Sequence, residues 1–214
     1  MDQKPLTKRQ QQALDTKQRI YEAAVSLIEQ YGFDNVQIED ISRKAGVSMG
    51  LFYKYFVNKS DILTEGMILQ TNQEYLKIYE ERLPDYRGKE KIIKFSLYAV
   101  EYHLICISKK DLRYNYANIL KSSSRSQSVT SEKRALHGIL DESVIEMLTD
   151  IGMDDRRIQL RKNVIVKNLA QLIRGIIFDY LIRDDFESAS EIMRTTEQLI
   201  STYLTGLMVS FNED

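Results

Sequence analysis

The chain has 214 residues, of which 43% are hydrophobic and 29% charged, with a formal net charge of −1; this composition excludes a disordered chain and is enough for one or two packed cores. A single cysteine, Cys106, excludes an internal disulfide, and the polar start lacks the apolar run of a secretory signal, so a cytoplasmic location is expected. The most apolar late stretch, Leu172 to Ile182, is broken by Arg174 and Asp179 and falls far short of the roughly 20 apolar residues that cross a bilayer, so no membrane span is expected.

Only Pro5 and Pro84 interrupt the chain as prolines, so long helices are compatible with nearly every stretch after residue 14 and the fold class expected is all-α, with about nine helices. Residues 1–14 are polar and glutamine-rich, carry Lys4, Lys8 and Arg9, and are expected to form a flexible basic arm. The first helix is predicted from Thr16 to Tyr31, since Ile20, Ala23, Ala24, Leu27, Ile28 and Tyr31 recur on one helical face, with Asp15 as N-cap and Gly32 as the stop. Two short helices follow, Ile38 to Ala45 and Met49 to Phe56, with Gly46 and Val47 between them. Ser48 is placed to cap the second of the pair, and Val47 to pack on Phe52. Asn58 is the expected N-cap of a long fourth helix that continues to Pro84.

Beyond Gly88, periodic stretches from Ile92 to Ile107, Leu112 to Leu120, Ala135 to Ile151, Arg156 to Ile182 and Ala189 to Phe211 predict five more helices, with the serine-rich stretch Ser122 to Ser131 as a mobile loop. The domains expected are the arm at 1–14, a three-helix unit at 15–58 and a larger helical unit at 59–214.

A helix-turn-helix needs apolar residues that lock two short helices at a fixed angle, a small residue at their contact and a glycine able to take positive φ in the turn. Ile41, Ala45, Val47 and Phe52 supply the lock, Ser42 the small contact and Gly46 the turn. The surrounding run, Gly32-Phe33 and then Ile38-Glu39-Asp40-Ile41-Ser42-Arg43-Lys44-Ala45-Gly46-Val47-Ser48-Met49-Gly50-Leu51-Phe52-Tyr53-Lys54-Tyr55-Phe56-Val57-Asn58-Lys59-Ser60-Asp61-Ile62-Leu63, resembles the N-terminal domain of the tetracycline-repressor (TetR) family over residues 16–63.

The resemblance implies that helix Met49 to Phe56 enters the major groove, whose width of roughly 12 Å admits one helix. Ser48, Met49, Gly50 and Leu51 then face base edges, with Met49 and Leu51 offering only apolar contact to thymine methyls. Arg43 and Lys54 are candidates for a guanine or a phosphate, and Tyr53, Tyr55 and Lys59 fall on the family's backbone-clamping positions. Where the family has threonine or serine ahead of the second helix, this chain has Val36-Gln37-Ile38, so no side-chain cap of the usual kind is expected there.

One helix-turn-helix makes few base contacts, so a homodimer on half-sites roughly 34 Å apart, or a multiple of that, is expected. The last two helices are the candidate interface, through Leu172, Gly175, Ile176, Leu199, Tyr203 and Leu207. An aromatic set with polar tips, Tyr98, Tyr102, His103, Tyr114, Tyr116 and Phe178, is the candidate lining of a site for an apolar or aromatic effector. His103 and Cys106 have a two-ligand spacing, but a zinc site wants three or four and the only other histidine is His137, so no metal is expected, nor any other cofactor.

The expected partners are double-stranded operator DNA, a small-molecule effector and a second copy of the chain. The function implied is a ligand-responsive transcriptional regulator, most simply a repressor released from a palindromic operator by its effector. A helical protein-interaction adaptor, or an activator of the same fold, stands as the alternative. No phosphate loop or nucleophile motif points to an enzyme.

Overall fold

The computed structural model describes residues 8–110, 112–113, 116–117, 129–183 and 188–212. Among these residues there are eight helices and no strand: α1 (Lys8–Tyr31), α2 (Ile38–Ala45), α3 (Met49–Tyr55), α4 (Lys59–Arg82), α5 (Gly88–Ile105), α6 (Val129–Asp150), α7 (Asp155–Ile182) and α8 (Ala189–Asn212). The stretch expected as a ninth helix, Leu112 to Leu120, lies mostly outside the described residues.

Three helices start earlier than their apolar stripes suggest. α1 begins at Lys8, so Asp15 lies inside it and does not cap it; the Lys, Arg, Gln, Ala and Leu residues ahead of Thr16 have high helix propensity and extend the helix without burying anything. α5 begins at Gly88 and α6 at Val129, so the last three residues of the serine-rich stretch Ser122–Ser131 are helical, while those before 129 lie outside the described residues.

The chain divides into two compact units, Met1–Met67 and Ile68–Asp214, with the boundary inside α4. In the first unit, α1 packs on α2 and α2 on α3. Ile20, Ala23 and Ala24 of α1, Val36, Ile41 and Ala45 around α2, Phe52 and Phe56 of α3 and Ile62 of α4 form one buried cluster. Ile62 is why the start of α4 belongs to this unit.

Gly66 contributes to the same effect. A β-carbon built on it would run into the Tyr21 ring of α1, so only glycine lets α1 and α4 approach this closely.

In the second unit, α5 is the hub, packing on α6, α7 and α8, with α6 on α7 and α7 on α8. Its buried face carries Ile92, Phe95, Ala99, Val100, Tyr102 and His103. Buried hydroxyls in this core stay satisfied by bonding back one turn: Ser96 donates to Ile92 O at 2.7 Å, Ser143 to Ile139 O and Thr196 to Ile192 O, each at 2.8 Å.

The near-buried Lys91 ammonium donates to Glu146 at 3.0 Å, and the Gly88 N–H donates to the other oxygen of the same carboxylate at 3.0 Å, tying α5 to α6. Gly152 ends α6 with φ +80°, and Asp154 accepts from Arg157 N at 3.0 Å to cap α7, as the sequence predicts. No helix is long and apolar enough to cross a membrane.

Candidate nucleic-acid interface

The α2–α3 angle is set by residues that have little freedom. Gly46 takes the left-handed conformation (φ +65°, ψ 41°) and its N–H donates to Arg43 O, while Val47 N donates to Ser42 O at 3.0 Å, closing α2. One residue later Ser48, extended at φ −73° and ψ 156°, accepts from Leu51 N at 3.1 Å and opens α3. Phe52 and Phe56, one turn apart with ring centroids separated by 5.8 Å, anchor α3 in the buried cluster.

With Phe52 and Phe56 inward, the exposed positions of α3 are Gly50, Tyr53 and Lys54, which share one helical stripe. Tyr53 is 52% exposed, its ring standing edge-on to Phe52. Lys54 lies 6.0 Å from the Tyr55 ring centroid. Ser48 is exposed and Leu51 half-buried at the same end.

Four of the sequence candidates sit differently from a plain surface contact. Met49 turns toward α2, where the buried Ser42 hydroxyl donates to its sulfur at 3.4 Å. Tyr55 is half-buried against the core cluster. Arg43 pairs with Asp40 at 3.3 Å, an i,i+3 contact with the guanidinium side chain 79% exposed, which leaves it free to exchange partners. Lys59 turns its ammonium inward: it donates to Phe33 O and, at 2.8 Å, to Val36 O, and it lies 4.3 Å from the Phe33 ring centroid. An ammonium held outward for a phosphate is the expectation this geometry corrects. The cause is the two α1–α2 loop carbonyls, which no helix bond satisfies.

The missing threonine ahead of α2 is compensated from the other direction. The Gln37 side chain makes no cap bond, but the Asp40 carboxylate accepts from Gln37 N at 3.3 Å. Sequence periodicity could not have found the Lys59 or Tyr21–Gly66 contacts, because both join residues more than 20 apart in the chain.

The sequence profile of bacterial regulatory proteins of the tetR family matches residues 20–65, the segment that builds this helix-turn-helix. A fatty acid metabolism regulator protein from Bacillus subtilis (strain 168) is 29% identical over 143 residues, covering 64% of this chain and 73% of that protein. The fold is similar to that of a TetR-family transcriptional regulator from Syntrophomonas wolfei (TM-score 0.60, 17% identity, 91% of this chain and 97% of that one). It is also similar to that of FadR from Bacillus subtilis in complex with stearoyl-CoA (TM-score 0.56, 20% identity, 86% and 96%). The chain belongs to the TetR family. It is a DNA-binding transcriptional regulator and not an enzyme.

In the second unit of this TetR-family regulator, the aromatic residues singled out as effector contacts fall in separate places. Tyr102 and His103 are buried on α5, 5.3 Å apart, with Tyr75 of α4 6.1 Å from His103. Burial holds the His103 imidazole below its ordinary pKa, against the raising effect of its bond to Ala99 O, so the ring is neutral at pH 7 and donates through Nδ1. Tyr98 stacks under the Arg82 guanidinium at 3.5 Å, and Tyr116 pairs with Phe178 at 6.1 Å; Tyr114 lies outside the described residues. The set does not converge on one cavity.

A groove of about 1100 Å³ instead opens between α7 and α8, lined by Leu172, Gly175, Ile176, Leu199 and Tyr203 among others. Five of the six residues singled out for dimerisation line it, and the sixth, Leu207, is half-buried on α8. Asn168 donates to the Tyr203 hydroxyl at 3.1 Å across this groove.

Proposed function

We propose that this regulator is a cytoplasmic repressor that binds a palindromic operator as a homodimer and is released by a small-molecule effector. The carrying observation is the open stripe Gly50, Tyr53 and Lys54 on a short helix whose angle is fixed by Gly46, Ser48, Phe52 and Phe56. Gly50 lets the backbone approach base edges, Lys54 and Arg43 supply cations, and Tyr53 a phenolic donor, with Ser48 and Leu51 at the leading end.

Dimerisation through α7 and α8 is supported by apolar surface that this chain leaves uncovered. Leu160, Val164, Phe178 and Ile182 are 42 to 73% exposed along α7, with Gly175 on the same stripe, and Leu199 is 42% exposed on α8. A second copy covers such a face with like surface about a two-fold axis.

For the effector, a long-chain acyl thioester has the best support. The similarity to the Bacillus subtilis fatty acid metabolism regulator spans 143 residues, far beyond the 46 matched by the family profile, and the FadR structure of like fold holds stearoyl-CoA. The test is selection of duplexes from a randomised library by the full-length chain, followed by gel shift of the selected DNA with and without stearoyl-CoA. The expected result is an inverted-repeat sequence, bound by a dimer and released by stearoyl-CoA. Failure to select any sequence refutes the DNA reading, and selection without release refutes the acyl thioester.

A further inference from the structure

The Lys59 ammonium faces three groups of the loop between α1 and α2: two backbone oxygens, Phe33 O and Val36 O, and the face of the Phe33 ring. This loop leads directly into α2, and Lys59 is the first residue of α4. The ammonium therefore bonds the start of α4 to the segment that feeds the reading helices.

Around it, the same junction is otherwise self-contained. Asn58 Oδ1 accepts from Asp61 N and Asp61 Oδ2 accepts from Val57 N, both at 3.0 Å, so the two side chains flanking Lys59 satisfy the helix start by themselves. Neither bond reaches the α1–α2 loop. That task falls to Lys59, whose long stem spans from α4 to the loop with the charge at its tip.

A lysine tip satisfies two carbonyls and sits over a ring only if loop, tip and helix stay in one arrangement. Charge-assisted bonds of this kind are roughly twice as strong as neutral ones, and cation–π contact adds to them. We infer that Lys59 is a positioning residue for DNA binding: it fixes α2 and α3 relative to α4 by clamping the α1–α2 loop, and it does not act as a phosphate contact. The inference rests on the proposed DNA reading, since it concerns how the reading helix is held.

The two roles leave different signatures. A lysine that neutralises a phosphate adds about 0.9 to the slope of log affinity against log salt, or about 1.8 for a dimer. A clamp leaves the slope alone and changes the affinity at every salt concentration. Guanidinium also reaches two carbonyls, so arginine restores a clamp.

The experiment uses full-length wild type, K59Q, K59R and F33L, with a duplex selected from the randomised library by the wild type. Binding is titrated over a range of salt, and folding is checked by circular dichroism at the assay temperature. K59Q is expected to lose affinity by about tenfold or more with its salt slope unchanged. K59R is expected to stay within about threefold of wild type, and F33L to weaken binding less than K59Q, again at unchanged slope.

A slope reduced by about 1.8 in K59Q makes Lys59 a phosphate contact and overturns the inference. Unchanged affinity in K59Q overturns it as well. Should K59Q fail to fold, F33L and K59R decide: wild-type affinity in F33L, or loss of affinity in a folded K59R, counts against the clamp. A wild type that selects no duplex is a failure of the DNA reading and not of this inference.

Discussion

The Ser42 hydroxyl on α2 and the Met49 sulfur at the start of α3 lie 3.4 Å apart, with Ser42 only 3% exposed. Met49 is thereby turned toward α2 and away from a bound duplex, so its work is packing between the two helices. Replacing it by leucine, a swap of similar volume, is expected to cost less than about 1.5 kcal/mol in stability. Operator preference should be unchanged when selection from a random library is repeated with M49L; an altered consensus would return Met49 to the reading surface.

Lys54 has the opposite expectation. It is exposed on the open stripe of α3, so K54Q should lower the salt slope of operator binding by up to about 1.8 per dimer if it meets a phosphate. If it instead meets a guanine, the slope holds and one position of the selected consensus relaxes. Either outcome, with the melting temperature within about 2 °C of wild type, separates it from Lys59.

Gly46 sits at φ +65° with open space around the position of a β-carbon. The cost of Gly46→Ala is therefore purely conformational, about 1–2 kcal/mol. Calorimetry should show that loss as a lower melting temperature. G66A tests the complementary case, a steric cost against the Tyr21 ring at a helical position, expected at about 1–3 kcal/mol unless the ring swings clear.

Two groups give the second unit a predictable acid response. His103 has a folded pKa held below 6.5 by burial, so below pH 6.5 the unfolded chain takes up a proton that the folded chain refuses, and stability falls. For Glu146, burial alone raises the pKa, but the Gly88 N–H, Lys91 and Arg87 together hold it below 4.5. Its contribution is present above pH 4.5 and is lost as pH falls through the folded value. Denaturant titrations from pH 7.5 to 4 should show H103N flattening the upper part of this decline. E146Q should flatten the lower part while lowering stability at neutral pH, because it leaves the Lys91 ammonium, 8% exposed, without its counter-charge.

The α7 stripe predicts assembly. V164D combined with F178D places charges on two positions that are 59% and 42% exposed in the single chain. Folding should therefore survive while light scattering reports a monomer, and operator affinity should fall with the loss of one reading head. A double variant that stays dimeric places the interface elsewhere.

Much of this was legible in the residue pattern. The α2–α3 pair follows from Ile41, Ala45, Gly46, Ser48 and Phe52, because capping and turn chemistry act over four or five residues. The start of α1 was not, since residues 8–15 bury no apolar stripe and are helical through propensity alone. Lys59 shows the other limit. A lysine at a helix start looks like a surface cation, and only the fold brings the Phe33 and Val36 carbonyls to its tip. The aromatic residues of α5 resisted for a similar reason: Tyr98 and Tyr102 are four apart, yet one stacks on Arg82 and the other is buried beside His103.

Cys106 is the one thiol in the chain, and it stands exposed just past the end of α5. Any maleimide dye or nitroxide attached to it marks a single spot per subunit, with no background labelling to engineer away. In a symmetric pair of chains, the separation of the two tags becomes a spectroscopic ruler. Stearoyl-CoA and DNA can then be titrated against the same distance, in the unmodified protein.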